Sequence, residues 1–113
     1  MKKLIKISAL AAVLGLSSLA AQAQTEVQFW HSMTAVNGEW VNDLAKDFNA
    51  KQKEYKIVPT FKGTYDESMT AAVAAFRAGN APHILQVFEV GTATMMASKG
   101  AIVPVGQVMK DAG

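Results

Sequence analysis

The chain of 113 residues contains no cysteine, so disulfides cannot stabilise it and thiolate chemistry is excluded. The same absence rules out a lipid-modified N-terminal cysteine. Proline and histidine are scarce, with three and two residues. Only one long apolar run is present, and it lies at the start of the chain. Stability therefore has to come from a packed core.

Residues 1–23 have the pattern of a secretory signal peptide. Lysines at positions 2, 3 and 6 precede an apolar run over 7–19, and Ala21-Gln22-Ala23 supplies the small residues of a cleavage site. The apolar run is too short to cross a bilayer, which disfavours the alternative of a membrane anchor helix. We therefore expect an exported, periplasmic protein without a lipid anchor, whose mature chain begins at Gln24.

The charge of the chain gives no support for nucleic-acid binding. The whole sequence has 11 basic and 9 acidic residues, a net charge of +2. Three of the basic residues belong to the leader, which leaves eight basic against nine acidic residues and a net charge of −1 in the mature part. No basic stripe follows the leader, so a nucleic-acid partner is not predicted.

Strand and helix patterns alternate along the mature part. Short apolar or alternating runs predict strands over 27–30, 55–62 and 84–88, and the almost wholly apolar third run predicts a central strand. Pro59 removes one backbone donor, which favours an edge position for the second strand. The order β-α-β-α-β-α predicts an α/β fold with a parallel sheet and right-handed crossovers.

Four helices are predicted between and after these strands, over about 37–49, from Thr64 to Gly79, over about 92–98 and over 105–112. Thr64 and Glu67 form a capping-box pattern, and Thr92 is suited to cap the third helix. The predicted buried positions are Trp40, Val41, Leu44, Ala45 and Phe48 in the first helix, Met69, Ala72, Val73 and Phe76 in the second, and Met95, Met96 and Met109 in the others.

The last helical pattern has no further element to pack on. We therefore expect residues 24–113 to form an incomplete α/β lobe. The alternative is a complete small interaction domain of about 90 residues, which would be marginal in size for a single core.

Three polar or aromatic segments follow the predicted strands: Trp30-His31-Ser32, Gly63-Thr64-Tyr65 and Glu89-Val90-Gly91. The carboxyl ends of parallel strands share one edge of the sheet, where α/β proteins bind ligands. Glu89, an acceptor only, is suited to ligand hydroxyls, although it could instead cap a helix or pair with a lysine. Tyr65 could bind ligand with its phenol and ring, or merely cover the core.

No catalytic residues and no metal ligands are predicted. His31, His83 and Glu89 lack metal-ligand spacing, and no serine lies in a nucleophile-elbow context. The isolated turn glycines form no dinucleotide fingerprint, so no cofactor is expected. An exported enzyme using His31 and Glu89 as an acid–base pair is a remote alternative.

Four segments of the mature chain carry a family resemblance: Phe29-Trp30-His31-Ser32-Met33, residues 55–60, residues 74–82, and residues 86–96, of which the last is the most specific. Together they resemble the extracellular solute-binding proteins of ABC importers (family 1). The resemblance covers essentially the whole mature chain, and within that family it is strongest to the sn-glycerol 3-phosphate receptors.

The resemblance implies two α/β lobes that close on a ligand and then dock on membrane permease subunits. Residues 24–113 would be the start of the first lobe. It also implies that Tyr65 and Glu89 lie in the ligand site, with Glu89 holding glycerol hydroxyls, while the phosphate contacts lie beyond residue 113. A receptor of the same fold for an oligosaccharide or another sugar is the alternative.

Overall fold

A computed structural model describes residues 23–113, so the predicted signal peptide lies almost wholly outside the described residues. Three strands, four α-helices and one 3₁₀ turn follow in the predicted alternation. They are β1 (Thr25–His31), α1 (Ala35–Lys51), β2 (Tyr55–Phe61), α2 (Tyr65–Arg77), β3 (Ile84–Leu85), the turn Glu89–Gly91, α3 (Thr92–Ala97) and α4 (Val105–Ala112).

The three strands form a parallel sheet in the order β2-β1-β3, which confirms the predicted α/β fold class. All seven residues of β1 are paired with β2, from Thr25 opposite Tyr55 to His31 opposite Phe61. On the other side of β1, only Phe29 and Trp30 are paired, with Ile84 and Leu85. The strand β1 is therefore the centre of the described sheet.

The prediction for the third strand was wrong in length and position. It pairs over two residues instead of five, and in the described sheet it lies at an edge instead of the centre. The Gln86 amide N–H still donates to Trp30 O at 2.9 Å, but β1 ends at His31. Because β1 ends at His31, Val87 and Phe88 have no residues of β1 with which to continue the ladder.

The edge position predicted for β2 from Pro59 is confirmed within the described sheet, and the hydrogen bonds explain it. The side chain of Asn49 on α1 pairs with both backbone groups of Ile57, at 2.8 and 2.9 Å, on the side away from β1. Because backbone direction alternates along a parallel strand, Pro59 also faces away from β1. Its missing N–H therefore breaks no bond of the sheet.

The burial of α1 differs from the prediction. Gly38, Val41 and Ala45 are buried, whereas Trp40, Leu44 and Phe48 remain 64, 49 and 44% exposed among the described residues. Gly38 lets α1 pack closely against the segment that precedes it, since a Cβ on Gly38 would lie 2.9 Å from Met33 O. Spacing alone located the apolar side of the helix but not which edge of it faces the sheet.

The capping box of α2 is confirmed. Thr64 Oγ1 accepts from the Glu67 N–H at 3.3 Å, and Glu67 Oε2 accepts from the Thr64 N–H at 2.7 Å. The bond from the Thr64 N–H to the Glu67 carboxylate, together with the nearby Thr64 hydroxyl, holds the pKa of Glu67 below its ordinary value. Ala72 is buried as predicted, but Ser68 is fully buried and Phe76 is exposed.

In the last third of the chain, the predicted helix over 92–98 is Thr92–Ala97, preceded by the 3₁₀ turn. Gly91, not Thr92, occupies the N-cap, because Thr92 Oγ1 donates backward to Phe88 O at 3.3 Å. Met95 is buried as predicted, whereas Met96 and Met109 are exposed. None of the helices in residues 23–113 has the length and apolar character needed to cross a membrane.

Replacing Thr64 by alanine should remove the acceptor of the capping box and lower the free energy of unfolding by about 1 kcal/mol. Thr64→Ser retains the hydroxyl and is the matched control, expected to stay close to the wild type. Urea unfolding of the protein expressed from its complete native gene measures both. Equal loss in the two variants would show that the hydroxyl bond is not what stabilises α2.

His31 should make stability depend on pH. The residue is 3% exposed, packs between the rings of Phe29 and Phe61, and accepts the Met33 N–H at Nδ1. Burial disfavours the charged imidazole and lowers the pKa of His31 below its ordinary value of 6.5. Near pH 6.5 the His31 ring therefore binds a proton less readily in the folded state than in the unfolded chain.

Stability should therefore fall as the pH drops through about 6.5 and level off, for this group, once the pH is below the folded pKa. His31→Gln removes the titrating group and should flatten the profile between pH 7.5 and pH 5.5. Urea midpoints across that range test this expectation. Identical slopes for the wild type and His31→Gln would contradict it.

Candidate functional site

The strand order creates a crevice at the carboxyl ends of β1 and β3. The chain passes from β1 to β2 on one side, and then from β2 back across β1 to β3. Right-handed crossovers therefore put α1 and α2 on opposite faces of the sheet. Ligands of open α/β proteins bind where the strand order reverses in this way, just outside the carboxyl ends of the strands.

Hydrogen bonds join the segments that end the three strands. The Ser32 N–H donates to the side-chain oxygen of Gln86 at 2.9 Å, which connects β1 to the segment after β3. The Lys62 N–H donates to His31 O at 2.9 Å, which connects the end of β2 to β1. The segments expected at one edge of the sheet are thus brought together there, and we call this edge the rim.

Tyr65 and Glu89 are linked through Phe88. The rings of Tyr65 and Phe88 stack with centroids 5.0 Å apart and an interplanar angle of 18°. Glu89 follows Phe88 directly and begins the 3₁₀ turn. The start of α2 and the segment after β3 therefore lie against each other, which places the two predicted ligand residues in neighbouring segments of the rim.

The carboxylate of Glu89 has no polar partner within the described chain. Within residues 23–113, this side chain is exposed and makes neither a hydrogen bond nor an ion pair. The one ion pair of the described residues joins Lys56 to Glu26 at 3.1 Å, near the opposite ends of β1 and β2. Glu89 lies in the first turn of the 3₁₀ helix but makes no capping hydrogen bond, and no lysine pairs with it in these residues.

His31 does not contribute its side chain to the rim. Its ring is buried against Phe29 and Phe61, and its Nδ1 is occupied by the Met33 N–H. No hydrogen bond connects His31 with Glu89 in the described chain. An acid–base pair of these two residues therefore has no structural support. No cluster of three potential metal ligands occurs within residues 23–113 either.

Sequence reasoning missed two polar residues of this region. The Gln86 side chain joins the two sides of the crevice by accepting the hydrogen bond from the Ser32 N–H. The only indication of this in the sequence is a single amide residue within an otherwise apolar run. Lys62 places its Nζ 4.0 Å from the centroid of the Trp30 ring, so Trp30 holds a cation. Nothing in the sequence pattern distinguishes Lys62 from the other surface lysines.

Gly91 is required by close packing beneath the rim. A Cβ at this position would lie 2.7 Å from Phe88 Cε1 and 3.2 Å from Met69 Sδ. Gly91→Ala should therefore displace the Phe88 ring from Tyr65 and lower the free energy of unfolding by about 1–3 kcal/mol, the usual cost of overpacking. Gly106→Ala in α4 has open space around it and is the control. Equal urea midpoints for the two variants would contradict the packing argument.

No model of a known protein family matches the chain. The sn-glycerol-3-phosphate-binding periplasmic protein UgpB of Escherichia coli O1:K1 / APEC is 57% identical to it over 112 residues. The proteins of that name from Escherichia coli strain K12 and Shigella flexneri serotype 5b strain 8401 are each 56% identical over 112 residues. Each alignment covers 98% of this chain and 25% of the relative.

The chain thus spans about a quarter of the length of the curated relatives it matches. Identity at this level over 112 residues reflects common descent. The chain is therefore related over almost its entire length to the periplasmic sn-glycerol-3-phosphate-binding proteins.

Proposed function

We propose that this protein acts as the substrate-binding component of an ABC importer, which captures sn-glycerol 3-phosphate or glycerophosphodiesters in the periplasm. The observation that carries the proposal is the 57% identity to a protein named for binding sn-glycerol 3-phosphate, over 98% of this chain. Because the match covers a quarter of that relative, the activity of the whole protein is carried over as a proposal.

The rim supports a small polyhydroxy ligand. Glu89 is an exposed carboxylate without a partner among the described residues, and it can only accept hydrogen bonds when ionised. It therefore suits the two hydroxyls of a glycerol unit. The Tyr65 phenol can donate to the same ligand, while the ring stacked on Phe88 supplies an apolar surface.

The proposal includes export and delivery. Residues 1–23 would direct the protein to the periplasm and be removed, leaving a protein without a lipid anchor. Residues 24–113 would begin the first of two lobes, and the ligand-bound form would deliver its ligand to the membrane permease subunits. Binding and release need no covalent step, so no catalytic residue and no cofactor are proposed.

Glu89→Ala should weaken binding of sn-glycerol 3-phosphate by more than about 1 kcal/mol, because a charged acceptor is lost. Tyr65→Phe should cost less, since the ring that stacks on Phe88 is kept. Isothermal titration of the protein expressed from its complete native gene measures both variants. Glu54→Ala removes an exposed carboxylate just before β2, at the far end of the sheet, and is the control.

Two results of this titration would contradict the proposal. Unchanged affinity in Glu89→Ala would remove Glu89 from the ligand site. Heat on addition of maltose, with none on addition of sn-glycerol 3-phosphate, would make the protein a sugar receptor of the same fold.

A further inference from the structure

Tyr65 and Glu89, the two side chains proposed to bind the ligand, belong to different segments of the chain. Tyr65 is the first residue of α2, whereas Glu89 begins the 3₁₀ turn after β3. A ligand that contacts both needs these segments held in place before it arrives, because a side chain that is ordered only on binding lowers the affinity. The following inference rests on the proposed function and concerns how that same site is held in place.

The side chain of Tyr65 is fixed by an aromatic contact. It is 37% exposed, and no hydrogen bond within residues 23–113 involves its phenol, since those at the start of α2 belong to Thr64 and Glu67. Its ring stacks on that of Phe88, with centroids 5.0 Å apart and an interplanar angle of 18°. Stacking restricts both the position and the tilt of a ring, so Phe88 determines the direction of the Tyr65 ring.

The Phe88 ring is itself held by close packing. The ring is half-buried, and a Cβ on Gly91 would lie 2.7 Å from its Cε1 and 3.0 Å from its Cδ1. The same point lies 3.2 Å from the Sδ of Met69, one helical turn after Tyr65 on α2. Phe88 therefore has Tyr65 on its face and Gly91 along one edge, which leaves its ring little room to move.

The backbone of Phe88 closes the turn that carries Glu89. Phe88 is the N-cap residue of this 3₁₀ turn, and Glu89 is its first residue. The Phe88 carbonyl accepts hydrogen bonds from the Gly91 N–H at 3.0 Å and from Thr92 Oγ1 at 3.3 Å. A single residue thus contacts Tyr65 with its side chain and connects to Glu89 with its backbone.

We propose that Phe88 is a positioning residue of the ligand site, whose ring fixes the Tyr65 ring beside the turn that carries Glu89 before the ligand binds. Without the Phe88 ring, the Tyr65 backbone keeps its place on α2, but its side chain gains rotamer freedom that is lost again on binding. The hydrogen bonds that close the turn use the Phe88 carbonyl and do not need the ring. The effect of the ring therefore reaches the ligand through Tyr65.

Titration with sn-glycerol 3-phosphate tests this role in variants expressed from the complete native gene. Phe88→Leu removes the ring but keeps an apolar side chain, and it should raise the Kd about fivefold, the order of the cost of immobilising one side chain. Phe88→Tyr keeps a stacking ring and should stay close to the wild type. Phe48→Leu makes the same change at a half-exposed position near the end of α1 and should leave the Kd unaltered.

A double-mutant cycle separates positioning from direct contact with the ligand. Tyr65→Ala alone should weaken binding. Because Phe88 acts through Tyr65, adding Phe88→Leu to Tyr65→Ala should cause no further loss of affinity. An equal loss from Phe88→Leu in both backgrounds would show that Phe88 acts independently of Tyr65 and would overturn the proposal.

A further measurement uses the wild type alone and so does not depend on the folding of a variant. Nuclear magnetic resonance of protein labelled in its phenylalanine and tyrosine rings detects nuclear Overhauser contacts between the rings of Tyr65 and Phe88. These contacts should be present without ligand and persist when sn-glycerol 3-phosphate is saturating. Contacts that appear only with ligand would show that the ligand, and not Phe88, orders the Tyr65 ring.

The outcomes separate the two proposals. A wild type that does not bind sn-glycerol 3-phosphate overturns the proposed function, and the role of Phe88 falls with it. A wild type that binds, together with an unchanged Kd in Phe88→Leu, overturns the role of Phe88 alone, even where the urea midpoint of that variant falls. A raised Kd in Phe88→Leu that Phe88→Tyr restores, and that disappears in the Tyr65→Ala background, supports it.

Discussion

The described structure depends on pairing both sides of β1. The side facing β2 is satisfied by a full parallel ladder of seven residue pairs. The side facing β3 has two pairs, and side chains complete it at both ends. His83 Nδ1 accepts the Gln28 N–H at 3.0 Å before the ladder, and Gln86 Oε1 accepts the Ser32 N–H at 2.9 Å after it. These two side chains let a very short strand cover a longer one.

This pairing also determines the shape of the rim. Because β3 is short, the chain turns at Phe88 and enters the 3₁₀ turn at Glu89 instead of continuing beside β1. The stacking of Phe88 on Tyr65 and the close packing of Gly91 then attach this turn to the start of α2. A crevice between β1 and β3 thus acquires side chains from two further segments, each held by contacts to the sheet or to its neighbour.

Sequence patterns predicted the parts that depend on local chemistry. Hydrophobic periodicity predicts the element order and the parallel sheet. The missing N–H of Pro59 predicts the edge position of β2, and the side chains of Thr64 and Glu67 predict the capping box of α2. Patterns failed where tertiary packing decides. Trp40, Leu44 and Phe48 share the apolar side of α1 with Val41 and Ala45, but only Val41 and Ala45 of these five are buried. Side chains that replace backbone partners, such as Asn49 and His83, leave no periodic signal.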